Sequence, residues 1–498
     1  MSFSSASQLA EDAGEASGDL FGATLERTLY QGTSHLMPPS LKRELTTFSA
    51  MALVVANMIG TGIFTTTGFL AGDLGRSSLV LAIWVVGGIV AVAGCLVYAE
   101  LGINLPRSGG EYVYLREAWG PVWGFVSGWV SFFAGFSAPI AAGGLAFAAY
   151  LSYFYPSLSP SSSGGVLHSG ISWIHLGNGQ LLAIGVIGVF AVVNILGLGL
   201  AANLQNMLTL LKIGVLSAFL ALAFLIGNGN WHHFAQPAVR TSPDDLVLQF
   251  AVSLTFVMFA YSGWNAATYV AEEIKSPERS LPLALVGGTL LVIVFYLACN
   301  VAFIYALPLE RLKGVLPVGA EAARVLFRGR GGAIFSGMMA AALLSCISAM
   351  VIVGPRVYYA MARDGCFFRS AARVHERFQT PVVAVLFQTA ATAAMIITGT
   401  FEALIYYIGF MLVLFAALAT AGIFKLRKRP NWRKLPAVDR FFPLVPAIFL
   451  VASCGMLIST IRLRPTESFF GLLTVCFGAG VYWWTFLRSG NGRKVGGS

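Results

Sequence analysis

Apolar residues run through the chain in long blocks, and blocks of about 20 residues are long enough to cross a bilayer as helices. They lie near 46–71, 78–104, 120–150, 179–199, 203–227, 246–274, 282–307, 332–362, 381–398, 401–424, 442–462 and 466–487, which predicts twelve spans. Three connecting segments are too long for simple turns. Residues 151–178 are rich in Ser, Pro and Gly, 228–245 carry Trp231, His232 and His233, and 308–331 include "LERLKGVLPVGAEAARVLF", which reads as short interfacial helices. All three are candidate lids.

Composition agrees with an all-α integral membrane protein: 57% of the 498 residues are hydrophobic and only 11% charged. Mean hydropathy is +0.75. The first 45 residues are polar and lack the apolar core of a cleavable signal, so the first span itself must begin insertion. A net charge of +10 could suggest nucleic acid, but the basic residues cluster in short loops beside apolar blocks, the topology signal of a membrane protein. No nucleic-acid partner is expected. With both termini cytoplasmic, 22 of the 32 basic residues fall on inner segments and 9 on outer ones, and Lys212 lies within a span. That asymmetry favours a multi-pass protein of the inner or plasma membrane with cytoplasmic termini. Five of the six cysteines sit in or at the ends of apolar runs, so no disulfide frame is implied. Histidines occur only in termini and loops, which excludes a His relay or haem ligand inside a span; no metal or cofactor is expected.

Two apolar blocks are interrupted. "NMIGTGIFTTTG" places Gly60, Thr61 and Gly62 inside the first, and "FVMFAYSGWNAATYVAEEIKSPERSLP" places Ser262 and Gly263 inside the sixth. If 46–227 and 246–424 are two copies of a five-span unit, each copy opens on a discontinuous helix, the pattern of inverted-repeat transporters. The segment 442–487 then adds two spans, and 1–45 and 488–498 are tails. A break exposes backbone at mid-membrane depth. The half helix starting near Ile63 offers N–H groups and a positive dipole end to a carboxylate, while half helices ending near Ile59 and at Phe259 to Ser262 offer carbonyls to an ammonium. Together they suit a free α-amino acid. Close helix packing is the alternative use of such glycines, but Gly60 and Gly62 are two apart and face different sides of a helix. Gly87, Gly88, Gly143 and Gly144 have no partner break and read as packing.

"IGTGIF" with "FAYSGWNAATYVAEEIKSPERSLPLAL" closely resembles the L-type amino acid transporters (LAT) and their bacterial relatives in the amino acid-polyamine-organocation (APC) superfamily. "AELGINLPRSGGEYVYLREAWGP", "AMARDGCFF" and "RVHERFQTPVVAV" extend the likeness over nearly the whole chain from about residue 44. The resemblance implies a LeuT-like 5+5 inverted repeat with twelve transmembrane helices, helices 1 and 6 discontinuous, working by alternating access. It implies that the substrate carboxylate binds backbone at Thr61, Gly62 and Ile63, beside Gly60, and the amino group carbonyls at Ile59, Phe259, Ala260 and Ser262. Phe259 matches the gate that closes over substrate from outside, and Asn265 an asparagine near the substrate that couples the broken helices. Lys212 matches the fifth-span lysine whose ammonium stands where sodium-coupled relatives bind Na⁺, bridging the first and eighth spans. No sodium dependence follows. Snorkelling is the plainer account of a span lysine, but Lys212 is roughly 14 Å from the cytoplasmic end of its span at 1.5 Å per residue.

Glu100, Glu272 and Glu273 fit inner-gate ion pairs and solvated helix ends equally well, Trp264 fits packing better than pocket contact, and the threonines after Gly62 either line the pocket or bond back to their own helix. Residues 151–178 contain no cysteine, so a disulfide-linked heavy chain is not expected. No acidic residue is near either break in sequence, which favours neutral L-amino acids carried by a secondary active permease or antiporter. A cationic amino acid or polyamine carrier of the same superfamily is the alternative. A multi-span enzyme or a channel is disfavoured, since no catalytic constellation or selectivity-filter motif is present. Exchange, uniport and proton symport all remain compatible with the sequence.

Overall fold

The computed structural model describes residues 41–158, 176–315, 318–328, 331–398, 401–463 and 465–487. Among them the chain is helical, with no strand beyond one isolated bridge between Leu45 and Ile274. The helices are α1 (Thr47–Met58), α2 (Gly62–Leu74), α3 (Ser77–Asn104), α4 (Glu111–Trp119), α5 (Pro121–Leu151, with a π-helical stretch at Ser131–Ser137), α6 (Asn178–Leu196) and α7 (Leu198–Leu225). They continue as α8 (Leu246–Ala260), a 3₁₀ helix at Ala266–Glu273, α9 (Pro277–Ala306), α10 (Val318–Leu326), α11 (Gly331–Arg363), α12 (Val382–Thr398), α13 (Phe401–Leu426), α14 (Leu444–Leu463) and α15 (Pro465–Tyr482). Among the described residues eight helices are long and apolar enough to cross a membrane, nine if α1 and α2, bent by 41°, count as one span.

Long apolar side chains such as Val189, Leu200, Met207, Val294 and Val451 stand on outer faces, where lipid is the compatible solvent. In the interior α9 packs on both α1 and α3, and the breaks follow α1 and α8. Gly87 and Gly88 serve this packing, as expected: a Cβ on Gly87 would lie 2.6 Å from Val257 and one on Gly88 3.0 Å from Ile293. Trp264 is likewise packed, against Tyr98 and Phe449.

The connections at 228–245 and 308–315 lie over α2. Ala238 N–H donates to Gly75 O, Thr241 N–H to Gly72 O and Gly314 N–H to Gly68 O. The stretch 308–331 forms short helices at Leu309–Leu312 and Val318–Leu326, as its pattern predicts. Of the 151–178 segment, 159–175 lie outside the described residues.

Glu100, Glu272 and Glu273 are each paired with an arginine rather than left as free helix ends. Glu100 is fully buried, accepting from Arg427 at 2.6 and 2.7 Å, from Trp432 Nε1 and from Leu435 N–H. Glu272 pairs with Arg363 and receives Ser108 N–H. Asp364 receives Arg107, Arg116 and Tyr112; burial pushes its carboxyl upward, but the two guanidinium groups outweigh that and hold it below the usual value. Glu273 and Arg356 form a buried pair at 2.8 Å, and Arg356 also donates to Asn194 Oδ1 and Ile352 O. Removing one member of such a pair leaves an uncompensated buried charge and costs about 3–5 kcal/mol. Arg356→Met should therefore lower the melting temperature of the purified protein sharply, and Arg356→Met with Glu273→Leu should recover most of the loss. An unchanged melting temperature in the single variant would refute the reading.

Candidate functional site

The two interrupted helices meet at their breaks. After Ala260 the chain makes turns at Tyr261 to Asn265, where Gly263 adopts φ +98°. A Cβ on Gly263 would lie 2.6 Å from Asn57 Cβ, and one on Gly62 would lie 2.7 Å from Ala260 Cα. Only glycine permits both the left-handed backbone and this approach. Tyr296 of α9 fastens the crossing from behind, its hydroxyl donating to Met58 O at 2.5 Å and reaching Ala260 O at 2.8 Å.

A cavity of about 110 Å³ opens on the crossing, lined there by Gly60, Thr61, Gly62, Phe259, Ala260, Ser262 and Asn265. Seven of the nine residues expected at the substrate site are thus brought together. Ile59 and Ile63 are fully buried behind them and do not line the cavity. The far wall is supplied by α5, α11 and α13, mostly small or apolar: Val130, Ala134, Gly143, Leu343, Met350 and Phe415 are representative. Gly143, expected to serve packing alone, thus also faces the cavity. The threonines after Gly62 do not line it. Thr65 bonds back to Thr61 O at 3.2 Å and Thr67 donates to Asn300 Oδ1 at 2.6 Å.

Lys212 is buried, and its Nζ donates to Ile59 O at 2.7 Å and Ala56 O at 3.1 Å. It does not reach for water. The last carbonyls of a helix lack intrahelical partners, and at the end of α1 Lys212 and Tyr296 take three of them. Cys346 of α11 adds a weak contact to Asn57 O at 3.9 Å. The protein therefore caps much of the α1 terminus with its own donors, while Thr61 and Gly62 at the start of α2 line a cavity free of basic side chains among its described lining.

Glu111, at the first position of α4, is a functional candidate that position along the chain did not single out. It is distant in sequence from both breaks, yet it lines the cavity, accepting from Tyr98 OH at 2.8 Å and from Asn265 Nδ2 at 2.9 Å on the same Oε1. Tyr269 also hydrogen-bonds the carboxyl. Burial drives it up to about 7 against the opposing pull of these three donors. The absence of acidic residues near the breaks in sequence is therefore not an absence in space. "SGGEYVY" contained the only signal, a carboxylate next to two glycines that fold it inward; Gly110 adopts φ +52° and packs on Tyr269 and Thr268.

A bilayer-spanning helical protein whose broken helices enclose a small-molecule cavity is a carrier by architecture. Comparison with known proteins gives the same class: the chain belongs to the amino acid permease family, which it matches over residues 45–486. It is 30% identical to the serine/threonine exchanger SteT of Bacillus subtilis, over 86% of this chain and 93% of that protein. It is 29% identical to the large neutral amino acids transporter small subunit 2 of Mus musculus, over 89% and 82%, and 27% identical to the human cystine/glutamate transporter, over 89% and 85%. The protein is an amino acid permease or antiporter of the APC superfamily, a multi-pass membrane transporter and not an enzyme.

Proposed function

We propose that this transporter carries neutral L-amino acids by alternating access, independently of sodium, in a LeuT-like arrangement of twelve spans with repeats at 46–227 and 246–424. The observation that carries the reading is the meeting of two broken helices at a cavity beside a lysine-capped helix end. In this reading the substrate carboxylate takes backbone N–H groups of Thr61, Gly62 and Ile63 at the positive end of α2. The amino group is received beside Gly60 and by the end of α8, at Phe259, Ala260 and Ser262, with Ile59 contributing through the lysine-bound carbonyl behind it. Phe259 is the gate, half-buried at the cavity wall. Asn265 links the sixth-span break to the first inner loop through Glu111.

The small, largely apolar cavity and the relatives support the substrate class. Two of the similar proteins are named for serine and threonine or for large neutral amino acids. The termini are assigned to the cytoplasm of the cell membrane from the basic asymmetry. The chain is assigned to work without a disulfide-linked heavy chain, since 151–178 hold no cysteine.

In the sodium reading, the Lys212 ammonium fixes on Ile59 and Ala56 the charge that a bound Na⁺ would otherwise supply. Proteoliposomes should accumulate labelled alanine or leucine equally with choline in place of sodium, and excess unlabelled alanine should compete where arginine does not. Strict sodium dependence would sink the Lys212 assignment; competition by arginine alone would move the substrate class to cationic amino acids.

A further inference from the structure

We propose that Glu111 is a proton-binding site coupled to substrate, so that filling the cavity with an amino acid makes this carboxyl take up a proton; the inference rests on the neutral-substrate reading of the same cavity. The geometry leaves little alternative for its charge. Glu111 is 5% exposed, and among the described residues no Lys or Arg lies within ion-pair distance of it. Its surroundings on the neighbouring elements are neutral: Tyr98 from α3, Asn265, Thr268 and Tyr269 from the sixth span, and Tyr114 from its own helix. The other charged groups on those elements are occupied elsewhere, Glu100 with Arg427, Arg116 with Asp364, Glu117 with Arg429, Glu272 with Arg363 and Glu273 with Arg356.

What solvates an ionised Glu111 is therefore its three hydrogen-bond donors plus whatever water fills the cavity. An amino acid seated there displaces that water. In the pose assigned above the ammonium is held by the end of α8, at Phe259, Ala260 and Ser262, none of which hydrogen-bonds Glu111, so occupancy removes water from the charged carboxyl without pairing it and favours the protonated form. A proton from solution then joins the carboxylate, and it returns to water when the cavity opens and refills. Because Asn265 and Tyr269 belong to the broken sixth span and Tyr98 to α3, the same group senses both the cavity content and the position of the half helix. Burial already holds the empty site near neutrality, at about 7, so a modest loss of water decides its charge.

Reciprocity makes the effect measurable from either side: if substrate raises proton affinity, protons raise substrate affinity by the same factor. Titration calorimetry of the purified full-length protein with L-alanine, repeated at pH 7.5 in buffers of different ionisation enthalpy, should report net proton uptake on binding. Apparent affinity should fall as pH rises above about 7, approaching tenfold per pH unit where the empty site is ionised and the filled site is not. Glu111→Gln, which mimics the protonated carboxyl, should lose both the uptake and the pH dependence, while Glu111→Asp should keep a titrating response at a shifted pH. Alanine binding by the wild-type protein without proton uptake, or proton uptake that persists in Glu111→Gln, overturns the proposal. No binding of any neutral amino acid by the wild type overturns the substrate reading instead.

Discussion

Gly62→Leu should abolish amino acid uptake in proteoliposomes while leaving a monodisperse protein. The reason is local and steric. Gly62 opens α2 where it crosses the end of α8, and the first carbon of any side chain would already sit 2.7 Å from Ala260 Cα and 2.8 Å from its Cβ. Backbone cannot yield as a flexible side-chain tip can, so the half helices must part. Overpacking of this kind costs about 1–3 kcal/mol, and displacement of the α2 terminus also moves the N–H groups assigned to the carboxylate. At roughly 3 kcal/mol the loss in substrate affinity is on the order of a hundredfold. Gly62→Ala should already show a large part of it. Gly455→Ala on α14, where an added Cβ meets nothing within 4 Å, should transport as the wild type does. Wild-type uptake by Gly62→Leu would refute the carboxylate assignment.

Lys212→Met should be nearly as damaging by a different route. Methionine keeps an apolar stem in the space between α7 and α1 but leaves the carbonyls of Ala56 and Ile59 without their shared donor, both residues being fully buried. A buried unsatisfied acceptor costs about 1–3 kcal/mol, and two of them lie at the end of the helix on which the first break depends. The expected outcome is a lower melting temperature, loss of alanine uptake, and faster hydrogen exchange of backbone amides around residues 56–62. A variant with unaltered stability and uptake would show that the ammonium does not hold the break.

Spans, breaks and the region of the site were legible because each depends on composition along the chain itself. A bilayer demands about 20 apolar residues per crossing, so the blocks announce the helices, and a glycine pair inside such a block contradicts the local rule strongly enough to mark a functional interruption. Lys212 was visible for the same reason, as a charge where charges are costly. Two local expectations became specific only in three dimensions. The end of α1, read as carbonyls awaiting an ammonium, is largely closed by Lys212, Tyr296 and Cys346. The carboxylates Glu100 and Glu273 find arginines 327 and 83 positions away along the chain.

Sequence alone therefore determined that this chain is a membrane carrier with two interrupted helices, because hydropathy and helix-breaking residues act locally. The tertiary structure decided which groups meet at the interruption. Hydrogen-bond and ion-pair partners are chosen by packing across long separations, and no spacing rule encodes them. Glu111 is the clearest case: 154 residues from Asn265 along the chain and 2.9 Å from it in space, it becomes part of the cavity only when α4 folds inward to meet α3 and the sixth span.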